Sequence, residues 1–219
     1  MDAELLDIGH YLKLFIGLFA MVDPLAAATS FVAMAGAFSL RDQIRIAALA
    51  SGVALAVFLL FLVGGMAILE FFAVSEGAFV TMGGVVLFVT GLKMIGGEST
   101  AQEERQTARQ SWQSFAIVPI AVPLLAGPGA ISTIIVYSGR HDGVAHQAVL
   151  LIVILAVIAV TYAFLRAGRT ISQIVGPTGL DVFNKIMGMI VLAIAIEFLY
   201  DGFAMHFPAF QTIHDIDGH

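Results

Sequence analysis

From Ile46 to Leu69 the chain runs for twenty-four residues without an Asp, Glu, Lys or Arg. The same holds from Gln110 to Gly139 and from Gly143 to Leu165. A helix of roughly 18 to 20 apolar residues crosses a bilayer core. A buried helix of a soluble domain is shorter and shows a polar face. Charged residues make up only 12% of the 219 residues and hydrophobic ones 59%, whereas a soluble domain carries about 25% charge. These runs predict an all-α, polytopic integral membrane protein. The lipid bilayer, not nucleic acid, is the expected partner, and the net charge of −6 adds little to that. With no cysteine, neither a disulfide framework nor a thiolate metal site can form. The acidic start MDAELLDIGH has no basic stretch, so a cleaved signal peptide is not expected.

Six transmembrane helices are predicted, over about 11–37, 46–70, 78–96, 115–138, 146–165 and 183–205. A polar linker over about 98–114 separates two three-span halves, about 11–97 and 115–205. Both belong to one membrane domain, which ends in a polar tail at 206–219. The loops after spans one, three and five, with their helix ends, hold eight cations: Arg41, Arg45, Lys93, Arg105, Arg109, Arg166, Arg169 and Lys185. The other side holds Lys13 and Arg140. Cationic loops stay in the cytoplasm, which puts both termini on the outer side of the membrane.

The halves resemble each other. At an offset of 105, MGGVVLFVTGLKMIGG from Met82 lies over MGMIVLAIAIEFLYDG from Met187. Met82 then meets Met187, Gly83 meets Gly188, Leu87 meets Leu192 and Gly97 meets Gly202. The first and fourth spans pair more loosely, with Pro24 near Pro128. Three spans per half is an odd number, so the second half would run inverted, with the first and fourth helices broken. Inverted repeats with interrupted helices are a secondary-transporter architecture, with the substrate at the breaks.

Asp23 and Pro24 sit deep inside the first span, about 18 Å from its start at ~1.5 Å per residue. Pro24 has no N–H, so the carbonyl of Ala20 loses its helical donor, and the ring disfavours a helical Asp23. Asp before Pro is also how a helix begins. Two half-helices meeting at Asp23 are therefore expected. A charge at that depth marks a functional site by default. In the fourth span, Pro119, Pro123 and Pro128 interrupt the helix, and Gly127-Pro128-Gly129 predicts a second restart. Gly127 has no side-chain acceptor, so the amides of Gly129 and Ala130 seek a partner. Such an N-terminus attracts an anion.

One restart offers a carboxylate and the other bare donors. A zwitterion fits both: its ammonium toward Asp23 and the Ala20 carbonyl, its carboxylate toward Gly129 and Ala130. Ala26, Ala27, Ala28 and Ala126 leave room for little else, and Thr29, Ser30, Ser132 and Thr133 add hydroxyls. The expected ligand is a small neutral amino acid of the alanine or glycine type. Proline kinks also occur in purely structural helices, and the glycine pairs in VGGM and MGGVV read as close packing.

Glu197 and Asp201 read as interface or packing residues, Lys93 as a snorkelling cation, and Trp112 and Tyr137 as interfacial anchors. The tail residues His206, His214, Asp215, Asp217 and His219 read as a frayed polar end. No metal site and no cofactor are expected, beyond a coupling proton or sodium ion. The absence of a phosphate-binding loop excludes ATP as a direct driver. No nucleophile–base pair appears in the spans, so an enzyme is not expected. A homo-oligomer is compatible with all of this. A non-transporting scaffold or accessory protein is the competing class.

The runs KLFIGLFAMVDPLAAATSFVAM, AIVPIAVPLLAGPGAISTIIV and NKIMGMIVLAIAIEFLYDG resemble the MarC family of bacterial and archaeal inner-membrane proteins. The likeness covers nearly the whole chain, and PLLAGPGAIST is its most specific part. It implies a six-helix, transporter-like protein, since several members carry small neutral amino acids. The family's two motif regions would fall on Asp23-Pro24 and on Pro123 through Thr133. The first motif usually has Gly two residues after its Pro and a second Pro three residues later. Here Ala26 and Thr29 stand there, which predicts a tighter break.

Overall fold

The computed structural model describes residues 8–35, 38–96, 112–139 and 143–206. Every regular element among these residues is helical: α1 (Ile8–Val22), α2 (Pro24–Ala35), α3 (Leu40–Phe71), α4 (Glu76–Gly96), α5 (Trp112–Phe115), a π-helical stretch (Ala116–Leu125), α6 (Pro128–Gly139) and α7 (Val144–His206). Most of the polar linker, with Arg105 and Arg109, lies outside the described residues. So do Arg140 and the tail after His206, with His214, Asp215, Asp217 and His219.

The chain shows how it starts and stops these helices. Ser39 caps α3, its hydroxyl accepting from the Asp42 amide at 3.2 Å, and Asp42 sets a carboxylate in the positive first turn. At the far end Ala73 takes φ 52; Val74 N then donates to the Leu69 carbonyl at 2.9 Å and Ala73 N to that of Glu70 at 3.0 Å. These two bonds close a helix through a left-handed residue.

Among the described residues, five helical stretches are long and apolar enough to cross a bilayer: Leu14–Val32, Leu40–Phe71, Glu76–Gly96, Val144–Ile171 and Asp181–Met205. The chain is thus an all-α, polytopic membrane protein. The stretch expected as a fourth, interrupted span, about 115–138, is interrupted as expected. Pro119 and Pro123 cannot donate, and the backbone underwinds into the wider π geometry, with Ala126 N reaching the Ala121 carbonyl at 2.9 Å. α6 then begins afresh at Pro128.

An expectation is corrected at the other end. The loop placed between spans five and six is helix, because the cations there suit an exposed helical face; Lys185 pairs with Asp181 at 2.8 Å, one turn apart. Only Gly176 departs, with φ 70 and ψ 167. That combination is open essentially to glycine alone, and the ψ is the one a residue before proline prefers. α7 therefore has two arms, one on each side of Gly176.

The arms pack into separate cores. The first joins α1, α3, the π stretch and α6 around Leu18, Phe58, Ile120, Leu125, Ile154 and Val157. Its Gly168 lets α2 approach, since a methyl there would lie 3.0 Å from the Ala28 carbonyl oxygen. His146 ties this body together at one end. Its Nε2 donates to the Tyr137 carbonyl at 2.8 Å, and its Nδ1 lies 2.7 Å from the Tyr11 hydroxyl.

The second arm packs antiparallel on α4 through small residues at every seventh position. A methyl at Gly84 would lie 3.0 Å from the Ala195 carbonyl oxygen, and one at Gly91 3.0 Å from that of Gly188. One at Gly202 would lie 2.9 Å from that of Gly77. No hydrophobic effect draws helices together in lipid, so this backbone-to-backbone fit supplies the attraction. It also confirms the packing reading of MGGVV. Gly202→Ala should lower the stability of the detergent-solubilised protein by roughly 1–3 kcal/mol. Its added methyl meets backbone atoms that cannot rotate away. Gly52→Ala, where nothing lies within 4 Å, should not lower the thermal midpoint and should raise it slightly, because Ala is the better helix former.

Candidate functional site

Asp23 is one residue doing two jobs. Its φ is 41, and its amide donates to the Phe19 carbonyl at 2.9 Å, which ends α1 through a left-handed residue. Its own carbonyl accepts from Ala27 N at 2.9 Å and its Oδ1 from Ala26 N at 3.2 Å, which starts α2. Pro24 takes the first helical position, where a missing N–H costs nothing. The interruption is a single residue wide, in keeping with Ala26 and Thr29 in place of helix breakers.

What remains is one carboxylate oxygen. Asp23 is 8% exposed, and its Oδ2 is buried with no hydrogen-bond partner among the described residues. It lies at the midpoint of the Leu14–Val32 stretch. A carboxylate at the centre of a bilayer costs about 3 kcal/mol or more. Ala20 is buried beside it on the last turn of α1, and Pro24 gives its carbonyl no hydrogen.

The second restart has the opposite deficit. The Gly127 carbonyl accepts from Ile131 N at 3.1 Å, and Pro128 again fills the first helical position. Gly127 has no side chain to turn back onto the first turn. The amides of Gly129 and Ala130 thus find no carbonyl within α6, although Ala130 is buried.

α1 packs against α6, and α2 against the π stretch. The two restarts are linked by one polar contact: the Thr133 hydroxyl lies 3.0 Å from both Met21 Sδ and the Gly129 carbonyl. Two other hydroxyls in the group already have partners. Thr29 donates to the Ala26 carbonyl at 2.9 Å, and Ser132 to that of Phe79 on α4 at 3.4 Å. Ala28 faces Gly168 of α7, so its smallness serves helix packing. Glu197 and Asp201 sit on exposed positions of the second arm, and Lys93 on an exposed position of α4. Trp112 lies beneath the Arg45 guanidinium, 5.9 Å from its ring centre.

Two features escaped the sequence reading. One is Leu87, which approaches Gly129 from α4: a methyl at Gly129 would meet Leu87 Cγ, Cδ1 and Cδ2, each at 2.7 Å. Nothing local in MGGVVLF distinguishes it. The other is the restart at Gly176-Pro177. Its signal was present, because VGP repeats the AGP that opens α6.

The family model described as "MarC family integral membrane protein" matches residues 8–207. The chain belongs to the MarC family. Among similar MarC relatives is a UPF0056 membrane protein of Buchnera aphidicola subsp. Acyrthosiphon pisum (strain APS), 30% identical over 211 residues, covering 95% of this chain and 98% of the relative. The UPF0056 membrane protein YhcE of Escherichia coli (strain K12) is 31% identical over 209 residues, covering 92% and 95%. A UPF0056 membrane protein of Methanocaldococcus jannaschii is 27% identical over 199 residues, covering 90% and 97%. No solved structure matches the chain.

The double role of Asp23 predicts its mutational profile in this MarC chain. Asp23→Asn keeps the capping oxygen and tolerates the left-handed backbone, so its unfolding midpoint should stay close to wild type. Asp23→Ala loses the cap and strains the turn, and should cost about 2 kcal/mol in denaturant unfolding.

Proposed function

We propose that the chain is a secondary transporter of small neutral amino acids, alanine or glycine, across the cell inner membrane. The substrate would bind where the two restarts meet. The observation that carries this is the buried, unpartnered Oδ2 of Asp23. A buried carboxylate oxygen gains most from a cationic donor, and α6 offers the complementary amides of Gly129 and Ala130. A zwitterion satisfies both deficits at once, with the ammonium on Asp23 and the Ala20 carbonyl. The MarC relatives' names state a membrane protein and no substrate. A proton or sodium gradient drives the flux in this reading, and the chain acts as a transporter, not as an enzyme.

The same proposal includes a sixth crossing by Trp112–Gly139, broken at Gly127, and an inverted relation between the halves. The contact between α4 and the second arm supports the latter. Three residues on from Gly84 and three back from Ala195, Leu87 stands level with Leu192. Those two are also equivalent at the offset of 105. A two-fold axis between inverted halves requires its nearest residues to meet their own equivalents.

In proteoliposomes, labelled alanine should show saturable flux under an imposed proton or sodium gradient. Asp23→Asn, folded but uncharged, should lose about tenfold or more, as expected for removing a charged hydrogen-bond partner. No saturable flux in wild type, or equal flux in Asp23→Asn, rejects the proposal. Orientation is separately testable, because the chain has no cysteine. Val144→Cys, at a position 89% exposed, should react with an impermeant maleimide from outside the cell, and Arg41→Cys should not. The reverse pattern would invert the proposed topology.

A further inference from the structure

We infer that Leu87 sets the size limit of the substrate side chain, an inference that rests on the amino-acid site proposed above. Leu87 contributes no polar group, and the family motifs lie elsewhere in the chain. Its place follows from the Gly129 contact alone. The branched end of Leu87 straddles Gly129, with three of its carbons 2.7 Å from where a methyl would stand. Gly129 supplies one of the amides that would hold the substrate carboxylate. In an α-amino acid the side chain branches from the carbon next to that carboxylate. It therefore emerges beside the first turn of α6, where Leu87 forms the wall on the α4 side.

The wall cannot easily retreat. Leu87 is 7% exposed and clusters with Val191 and Ala195 of the second arm. Gly84 and Gly91, one on each side of it in sequence, hold α4 against that arm at backbone distance. The packing behind Leu87 thus turns a flexible side chain into a fixed boundary. A branched or aromatic substrate side chain emerging there would meet the Leu87 carbons, and the smallest side chains would meet them least.

The experiment measures alanine and leucine flux in proteoliposomes with wild type, Leu87→Ala, Leu87→Val and Phe88→Ala. Phe88 lies on an exposed position of the same helix. In a hydrophobic pocket, one methylene of substrate is worth roughly 10- to 200-fold in discrimination. Wild type should prefer alanine, and Leu87→Ala should cut the alanine-to-leucine ratio about tenfold or more. Leu87→Val should shift it in the same direction by less, and Phe88→Ala should not shift it. If Leu87→Ala does not fold, the milder Leu87→Val decides. Alanine flux with an unchanged ratio in the folded Leu87 variants overturns this inference and leaves the transporter reading standing. Absence of amino-acid flux in wild type overturns both.

Discussion

Hydrocarbon offers no water to a broken backbone, so each interruption of a membrane helix has to be made good by the protein itself. The chain interrupts its helices at Asp23-Pro24, Gly127-Pro128 and Gly176-Pro177, each time with proline where the next helix begins. Asp23 repairs its break with its own amide, carbonyl and one carboxylate oxygen. Gly127 repairs its break with a carbonyl only. The first repair leaves an acceptor over and the second leaves donors over. The candidate site consists of these remainders, and its charge pattern follows from which residue precedes each proline.

The second constraint is close approach. Without a hydrophobic drive between helices, attachment depends on how nearly two backbones can touch. Gly77, Gly84 and Gly91 on one side and Gly188, Ala195 and Gly202 on the other give α4 and the second arm of α7 a continuous small-residue seam. The remaining helices are held by larger side chains and by His146, which joins three of them. The chain thus folds as two packed bodies that meet at Met21, Leu87 and the first turn of α6, and the candidate site lies along that junction. α7 belongs to both bodies and changes direction between them at a glycine that no other residue could replace without strain.

Much of this was legible without a structure. Length without charge marked the spans, because crossing a bilayer is a matter of apolar length. The breaks at Asp23 and Gly127 were legible because proline lacks a hydrogen wherever it stands. The π winding of Ala116–Leu125 was not. Pro119 and Pro123 announce a disturbance, but neighbouring helices decide whether the chain kinks, breaks or widens into π turns. The helical course of the connection between the last two spans was not legible either, because Arg166, Arg169 and Lys185 suit an exposed helical face as well as a loop. Charge says which face meets solvent and does not end a helix; Gly176 is where it bends.

Local covalent chemistry determined, from sequence alone, that the protein spans a membrane, that its helices restart after Asp23 and Gly127, and which of these restarts carries the acid. Tertiary structure alone decided which side chains meet there. Leu87 comes to Gly129, Met21 to Thr133, and the hydroxyls of Thr29 and Ser132 turn to carbonyls instead of an open site. A missing N–H or an extra carboxylate acts at its own position. A contact depends on the angle and register at which separate helices pack, and no residue carries that information by itself.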